Sequence, residues 1–237
     1  MALPRSLALA ALALASCRTL PRAVPEHEAT KPAPNSSMAE RTADLARLAA
    51  GSDAKVIFLG DSITQGWEDA GHEMWHEHFT HRGALNLGVS GDRTEHVLWR
   101  FRQGHYDGLR PRLVVLMIGT NNTGHRMDSP AKVADGIESI LREIEARWSS
   151  PHVLLLAIFP RGERADDPKR LNNVAVNELI RPLADGSRVE WLDIGSMFLG
   201  ADGSARKELL PDLLHLSPQG YALWAKAILP VIEMWCR

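Results

Sequence analysis

The sequence predicts an α/β fold in which a parallel sheet is covered by helices on both faces. Three observations lead there. Short apolar runs with β-branched members alternate with stretches whose apolar residues recur at helical spacing, the pattern of right-handed βαβ units. The most apolar run, Leu113-Val114-Val115-Leu116-Met117-Ile118, lacks polar alternation, as expected of a central strand buried on both faces. Polar residues follow the strand ends again and again, at Asp61-Ser62, at Ser90-Gly91 and at Thr120-Asn121. In open α/β sheets that carboxyl edge is where ligands bind. A three-layer, doubly wound architecture follows from the pattern; the order of the strands does not.

The chain has 237 residues, enough for one sizeable core. A hydrophobic content of 45% with 24% charged residues is ordinary for a globular domain. The formal net charge of −2 gives no electrostatic footprint for nucleic acid, so none is expected as a partner.

Residues 1–17 read as an export signal. One positive charge precedes an apolar run at 6–15 that is too short to span a bilayer but has the length of a signal-peptide core. The run ends in Leu14-Ala15-Ser16-Cys17, which resembles the bacterial lipoprotein signal, so the expectation is an exported chain, periplasmic or tethered to a bacterial membrane through Cys17. Residues 18–37 contain Pro21, Pro25, Pro32 and Pro34 among polar residues and read as a flexible tether. Asn35-Ser36-Ser37 within it matches a glycosylation sequon. The folded domain is expected at 38–237. Cys17 and Cys236 lie near opposite ends, which argues against a disulfide framework, and no CxxC metal pattern exists.

Within the domain, helical spacing over 38–50 predicts a lead-in helix. Val56-Ile57-Phe58-Leu59 is a buried strand, broken by Gly60 before Asp61 and Ser62. Residues 65–82 are rich in aromatics and histidines. His72 and His76 stand one helical turn apart, but without an HExxH motif or a cysteine cluster they read as structural, and no metal is expected. Further strands are predicted at 84–88, 113–118, 153–159 and 189–194. Helices are predicted through Arg102, with Val97, Leu98 and Phe101 facing inward, over 130–148 with Ser129 as cap, over 169–183, and at the end to Trp235. Trp67, Trp99 and Trp224 read as core.

The strand-end loops supply a set of reactive groups. A serine hydroxyl needs a base to become nucleophilic, and histidine provides one near neutral pH. The histidine needs an acceptor on its other nitrogen. Asp212 and His215 are three apart, so one turn can present both on one side, leaving only Ser62 distant. The developing oxyanion needs donors aimed in advance, and the amides of Ser62 and Gly91 with the side chain of Asn121 are candidates. Asp92 reads as a loop cap and Arg161 as a loop or surface pairing.

Gly60-Asp61-Ser62, Gly91, Gly119-Thr120-Asn121 and Asp212-x-x-His215 resemble, in order, the four motif blocks of the SGNH (GDSL-type) hydrolases. The stretch from Asn86 to Arg100, Gly119-Thr120-Asn121-Asn122 and Pro160-Arg161-Gly162-Glu163 are similar to the catalytic subunits of the platelet-activating-factor acetylhydrolase group. The resemblance implies a flavodoxin-like, five-stranded parallel sheet and serine esterase chemistry without metal or cofactor. Ser62 would be the nucleophile, His215 the base and then acid, and Asp212 its orienting partner. Ser62, Gly91 and Asn121 would form the oxyanion hole. The relatives form dimers, so the resemblance allows a homodimer and leaves the oligomeric state open. The implied substrate is a small acyl ester, most plainly an acetyl ester of a carbohydrate or lipid. Two departures stand out: Asn122 occupies a position where many members carry Asp, and the second block reads Val-Ser-Gly instead of Ile-Gly-Gly. The alternatives are a glycan-binding module on the same scaffold, or a lysophospholipase or thioesterase acting on longer acyl chains.

Overall fold

A computed structural model of the chain describes residues 23–236; the signal and anchor expected at 1–17 lie outside the described residues. Five strands, β1 (Val56–Gly60), β2 (Ala84–Asn86), β3 (Leu113–Met117), β4 (His152–Leu156) and β5 (Val189–Leu192), form one parallel sheet in the order β2-β1-β3-β4-β5. This is the flavodoxin-like order, with its topological switch between β1 and β3. Eight α-helices are described: α1 (Ala39–Ala50), α2 (Ser62–Gln65), α3 (His72–His78), α4 (Thr94–Arg102), α5 (Thr120–Arg126), α6 (Pro130–Arg147), α7 (Pro168–Ile180) and α8 (Pro218–Trp235).

Strand residues alternate between two cores, as the pleat requires. Ile57, Leu59, Val114 and Leu116 face one layer and meet Leu45 of α1, Val97 and Phe101 of α4, Ile137 and Ile140 of α6, and Val176 of α7. Val56, Phe58, Val115 and Met117 face the other and meet Ile63, Trp67, Phe79 and, from α8, Tyr221, Trp224 and Ile228. Trp67 and Trp224 are fully buried and pack at 4.9 Å between ring centroids. Trp99 is only half-buried, its ring set edge-on against His105.

The strands end earlier than periodicity predicts. Ile158, expected within β4, bonds through both its N–H and its C=O to the Asn177 side chain instead of to a neighbouring strand. Past β2, the Gly88 amide donates to the Asn86 side chain. Helix α5 was not expected at all: Thr120, Asn121, Asn122 and Thr123 are its buried residues, so it has no apolar stripe to announce it. Ser129 occupies the N-cap position of α6 but makes no capping bond with its side chain.

The tether reading of 18–37 is corrected for its described part. Residues 23–37 lie along the domain. Ala29 is fully buried, and its carbonyl accepts a 2.7 Å hydrogen bond from the Thr94 hydroxyl. The Ala33 amide bonds to the Glu95 carbonyl, His27 approaches Asp135 at 3.2 Å, and Lys132 pairs with Glu28. The prolines limit the conformational freedom of this segment, and main-chain hydrogen bonds with one small buried side chain fix it. Its seat is Gly136 on α6: a Cβ there would lie 2.4 Å from the Thr94 hydroxyl and 2.7 Å from the Ala29 carbonyl. Gly136→Ala is expected to destabilise the domain by about 1–3 kcal/mol through this overlap, read as a lowered midpoint in urea unfolding; an unchanged midpoint would mean that the segment does not seat there.

Candidate active site

Ser62 is the first residue of α2, immediately beyond β1. The turn is tight. A Cβ at Gly60 would stand 2.2 Å from the Thr64 hydroxyl and 2.4 Å from the Met117 carbonyl, so only glycine allows the strand to enter the helix here. Asp61 is the N-cap and accepts from the Ile63 amide at 3.0 Å. It is buried, and desolvation raises its pKa to about 7 against the opposing pull of that amide; nearby Asp92 adds to the rise.

His215 arrives from the far end of the chain. Leu213 adopts the left-handed conformation, φ +65°, which is uncommon for a residue with a side chain. The bend lets Asp212 serve its own loop: Oδ1 accepts from the amides of Leu214 and His215 at 3.0 and 2.7 Å, and Oδ2 lies 2.6 Å from His215 Nδ1. Burial alone would raise the Asp212 pKa, but the His215 ring and these amides outweigh it and hold the carboxyl below its usual range. The Gly162 amide ties the loop down by donating to the Leu213 carbonyl. With Nδ1–H directed at Asp212, His215 Nε2 is left as an acceptor, and it stands 2.9 Å from Ser62 Oγ. The structure thus brings Ser62, His215 and Asp212 into one line.

Gly91 and Asn121 come from the loops after β2 and β3. Gly91 has φ +73°, a conformation glycine takes without a Cβ penalty. Its loop is held from several sides. Asn121 Nδ2 donates to the Asp92 carbonyl at 3.0 Å, and its second N–H makes no hydrogen bond among the described residues. Asn35 Nδ2, from the N-terminal segment, donates to the Ser90 carbonyl and to Asp92 Oδ1. Gln65 Oε1 accepts from the Ser90 amide. The backbone amides of Ser62 and Gly91 make no hydrogen bond among the described residues.

Behind the loop, Asp92 forms a buried ion pair with Arg100 of α4. Burial pushes the Asp92 carboxyl upward, while Arg100 and Asn35 pull it down; the same pairing keeps the Arg100 guanidinium protonated despite its burial. His96 comes within 3.6 Å of Asp92, but desolvation, with the charge of Arg93, lowers its pKa to about 4, so it is neutral near pH 7 and accepts from the Arg93 amide. The surroundings of Asn122 suit an amide and not a carboxylate. Its Oδ1 accepts from the Thr94 amide, and its Nδ2 donates to the Thr94 hydroxyl, Glu95 and Asp128. An aspartate there would set a third carboxylate against two others. Arg161 is half-buried and donates through Nη1 to the Thr120 carbonyl and hydroxyl.

Asn35, Gln65 and Arg100 are the site residues that sequence reasoning missed. Asn35 sits in a stretch that reads as linker, and Gln65 lies in an aromatic-rich run with no polar periodicity. Arg100 belongs to the stretch that resembles the acetylhydrolase group, yet nothing in the sequence marks it as the partner of Asp92. His72 and His76 lie with ring centroids 4.4 Å apart on α3, and among the described residues no three His, Cys, Asp or Glu side chains converge as metal ligands.

The raised pKa of Asp61 makes a stability prediction. In the unfolded chain its carboxyl ionises near pH 4, whereas in the fold it keeps its proton to about pH 7. Stability from this group is therefore fully present below pH 4 and is lost as pH rises to about 7. Asp61→Asn keeps the capping oxygen and removes the titration. Its melting temperature is expected to gain several degrees on wild type at pH 8 and little at pH 4; an equal difference at both pH values would contradict the assignment.

A family model for the GDSL-like lipase/acylhydrolase family matches residues 58–223. The chain is 38% identical over 177 residues, 74% of each chain, to the platelet-activating factor acetylhydrolase IB subunit alpha1 of Homo sapiens. Among solved structures it resembles a GDSL-like lipase of Bacteroides thetaiotaomicron, with a TM-score of 0.65 and 21% identity, covering 84% of this chain and 97% of that one. It also resembles an acetylxylan esterase from Geobacillus stearothermophilus, with a TM-score of 0.57 and 19% identity, covering 80% and 99%. The family model runs from within β1 past the Asp212–His215 loop, and the curated relative matches at an identity that carries more than the fold. The chain belongs to the GDSL-like lipase/acylhydrolase family, close to the platelet-activating-factor acetylhydrolase group, and is a carboxylic ester hydrolase.

Proposed function

We propose that this hydrolase removes short acyl groups, acetyl foremost, through Ser62, His215 and Asp212 by way of a covalent acyl-enzyme. The observation that carries this reading is the relay of 2.9 Å from Ser62 Oγ to His215 Nε2 and 2.6 Å from His215 Nδ1 to Asp212. Ser62 Oγ adds to the ester carbonyl as its proton passes to His215 Nε2. The negative charge on the former carbonyl oxygen is met by the amides of Ser62 and Gly91 and the free N–H of Asn121. The C–O bond to the alcohol breaks, and His215 returns its proton to the departing oxygen. Water then enters, loses a proton to His215 and attacks the acyl carbonyl; Ser62 leaves with that proton. Asp212 holds the ring in the tautomer each step needs and stabilises the imidazolium.

Acetyl is supported by the comparisons. Relatives on this fold bear the names acetylhydrolase and acetylxylan esterase. A non-catalytic binding module has no use for a complete serine–imidazole–carboxylate relay. Export with lipidation at Cys17 is a further proposal, resting on Leu14-Ala15-Ser16-Cys17. Mass spectrometry of the mature N-terminus tests it: a diacylglyceryl cysteine is expected, and an intact Met1 would exclude it.

Ser62→Ala is expected to abolish the burst and the turnover of 4-nitrophenyl acetate; a persisting burst would place the nucleophile elsewhere. Asn121→Ala is expected to lower kcat by about 10²–10³, equivalent to about 2.7–4 kcal/mol of barrier, with KM nearly unchanged. Across 4-nitrophenyl acetate, butyrate and octanoate, kcat/KM is expected to fall with chain length; a rise would favour the longer-acyl alternative.

A further inference from the structure

The cleft next to Ser62 and His215 is lined by Gln65, Gly66, Asp69, Ala70, Ser90, Leu216 and Tyr221. Its chemistry is specific. Asp69 is exposed, and its carboxylate has no hydrogen-bond or ion-pair partner among the described residues. Gln65 is oriented, not free to rotate: its Oε1 accepts from the Ser90 amide at 2.8 Å, so the NH₂ end is fixed as a donor. Neither that NH₂ nor the Ser90 hydroxyl has a hydrogen-bond partner among the described residues. Tyr221, by contrast, is committed: its hydroxyl donates to the Ile63 carbonyl at 2.7 Å. Gly66 makes room for it, since a Cβ there would stand 2.2 Å from that hydroxyl.

Beside the apolar Ala70 and Leu216, the wall therefore offers a carboxyl acceptor, a fixed donor and a hydroxyl around a small volume. Hydroxyl groups both donate and accept, so a polyol satisfies all three at once. An alkyl chain in the same place would displace water from the carboxylate and the amide and return no hydrogen bond. A site with such groups rejects an analogue that lacks the matching hydroxyl.

We infer that Asp69, Gln65 and Ser90 form a subsite for the alcohol half of the ester, and that this alcohol is a sugar carrying free hydroxyls beside its acetylated one. Asp69 accepts from a sugar hydroxyl, and Gln65 Nε2 donates to a neighbouring one. The inference rests on Ser62 being the nucleophile and on His215 returning the proton to the departing oxygen: the imidazole lines this cleft, so the leaving alcohol lies on this side.

The test compares three acetyl esters on the full chain: a methyl xyloside carrying one acetyl group, cyclohexyl acetate as its ring-matched analogue without hydroxyls, and acetylcholine as a cationic alcohol. Wild type is expected to favour the xyloside over cyclohexyl acetate by about tenfold or more in kcat/KM, one lost hydrogen bond to a charged group being worth about that factor. Asp69→Ala is expected to shrink this preference about tenfold. Asp69→Asn, which keeps an acceptor oxygen and loses the charge, is expected to retain most of it. An equal loss on all three esters in Asp69→Ala would reduce Asp69 to a structural residue and overturn the inference. A loss confined to acetylcholine, shared by Asp69→Asn, would overturn it in favour of a cation site. Ser62→Ala run alongside separates the two readings: activity surviving on every ester would defeat the nucleophile, whereas full inactivity with no hydroxyl preference in wild type would defeat only the subsite.

Discussion

The hydrogen bond between Ser62 and His215 joins residues 153 positions apart, and the fold can be understood by what makes that meeting possible. Ser62 is set by β1, an interior strand paired with β2 on one side and β3 on the other. His215 is set by a loop that precedes α8, which packs against the same face as α2 and α3. Tyr221 of α8 bonds directly to the Ile63 carbonyl, so base and nucleophile are carried by elements that are themselves bonded together. A proton transfer over 2.9 Å tolerates little misplacement, and here neither partner is supported by an isolated loop.

The oxyanion side is built differently. It depends on buried polar contacts, in which Arg100 Nε alone of the Asp92 partners has a buried N–H with no hydrogen-bond acceptor among the described residues. Asp92 is the hub: its carbonyl receives Asn121, one carboxylate oxygen receives Asn35, and the other pairs with Arg100. Buried networks of this kind rigidify when every member is satisfied and are costly when one is removed. The N-terminal segment is thereby part of the site's support, although it lies outside the stretch matched by the family model.

What the sequence made legible follows from where the information sits. Strand runs and the amphipathic helices α4, α6 and α7 carry their periodicity openly. The Gly60, Gly119 and Asp212–His215 motifs were readable because each ends a strand or opens a loop with unusual residue types. The segment 23–37 was misread as a tether because its anchoring comes from main-chain bonds, the small side chain of Ala29 and the amide of Asn35, none of which leaves a periodic trace. Helix α5 was invisible for a related reason, since its buried residues are polar and are held by Asn122, Arg161 and Asn172 contacts instead of by apolar packing. The roles of Asp61 and Gln65 needed coordinates: an N-cap aspartate is ordinary in sequence, and only its complete burial beside Asp92 makes it hold a proton to about pH 7.

The central claim is that Ser62, activated by His215, forms the covalent bond to the acyl group. The most direct measurement is intact-mass and peptide mass spectrometry after treatment with diisopropyl fluorophosphate. One adduct per chain on the peptide containing Ser62 is expected, formed rapidly in wild type and at least a hundredfold more slowly in His215→Ala, about 2.7 kcal/mol of lost activation. Labelling of another residue, or labelling of Ser62 at the same rate without the imidazole, would contradict the account.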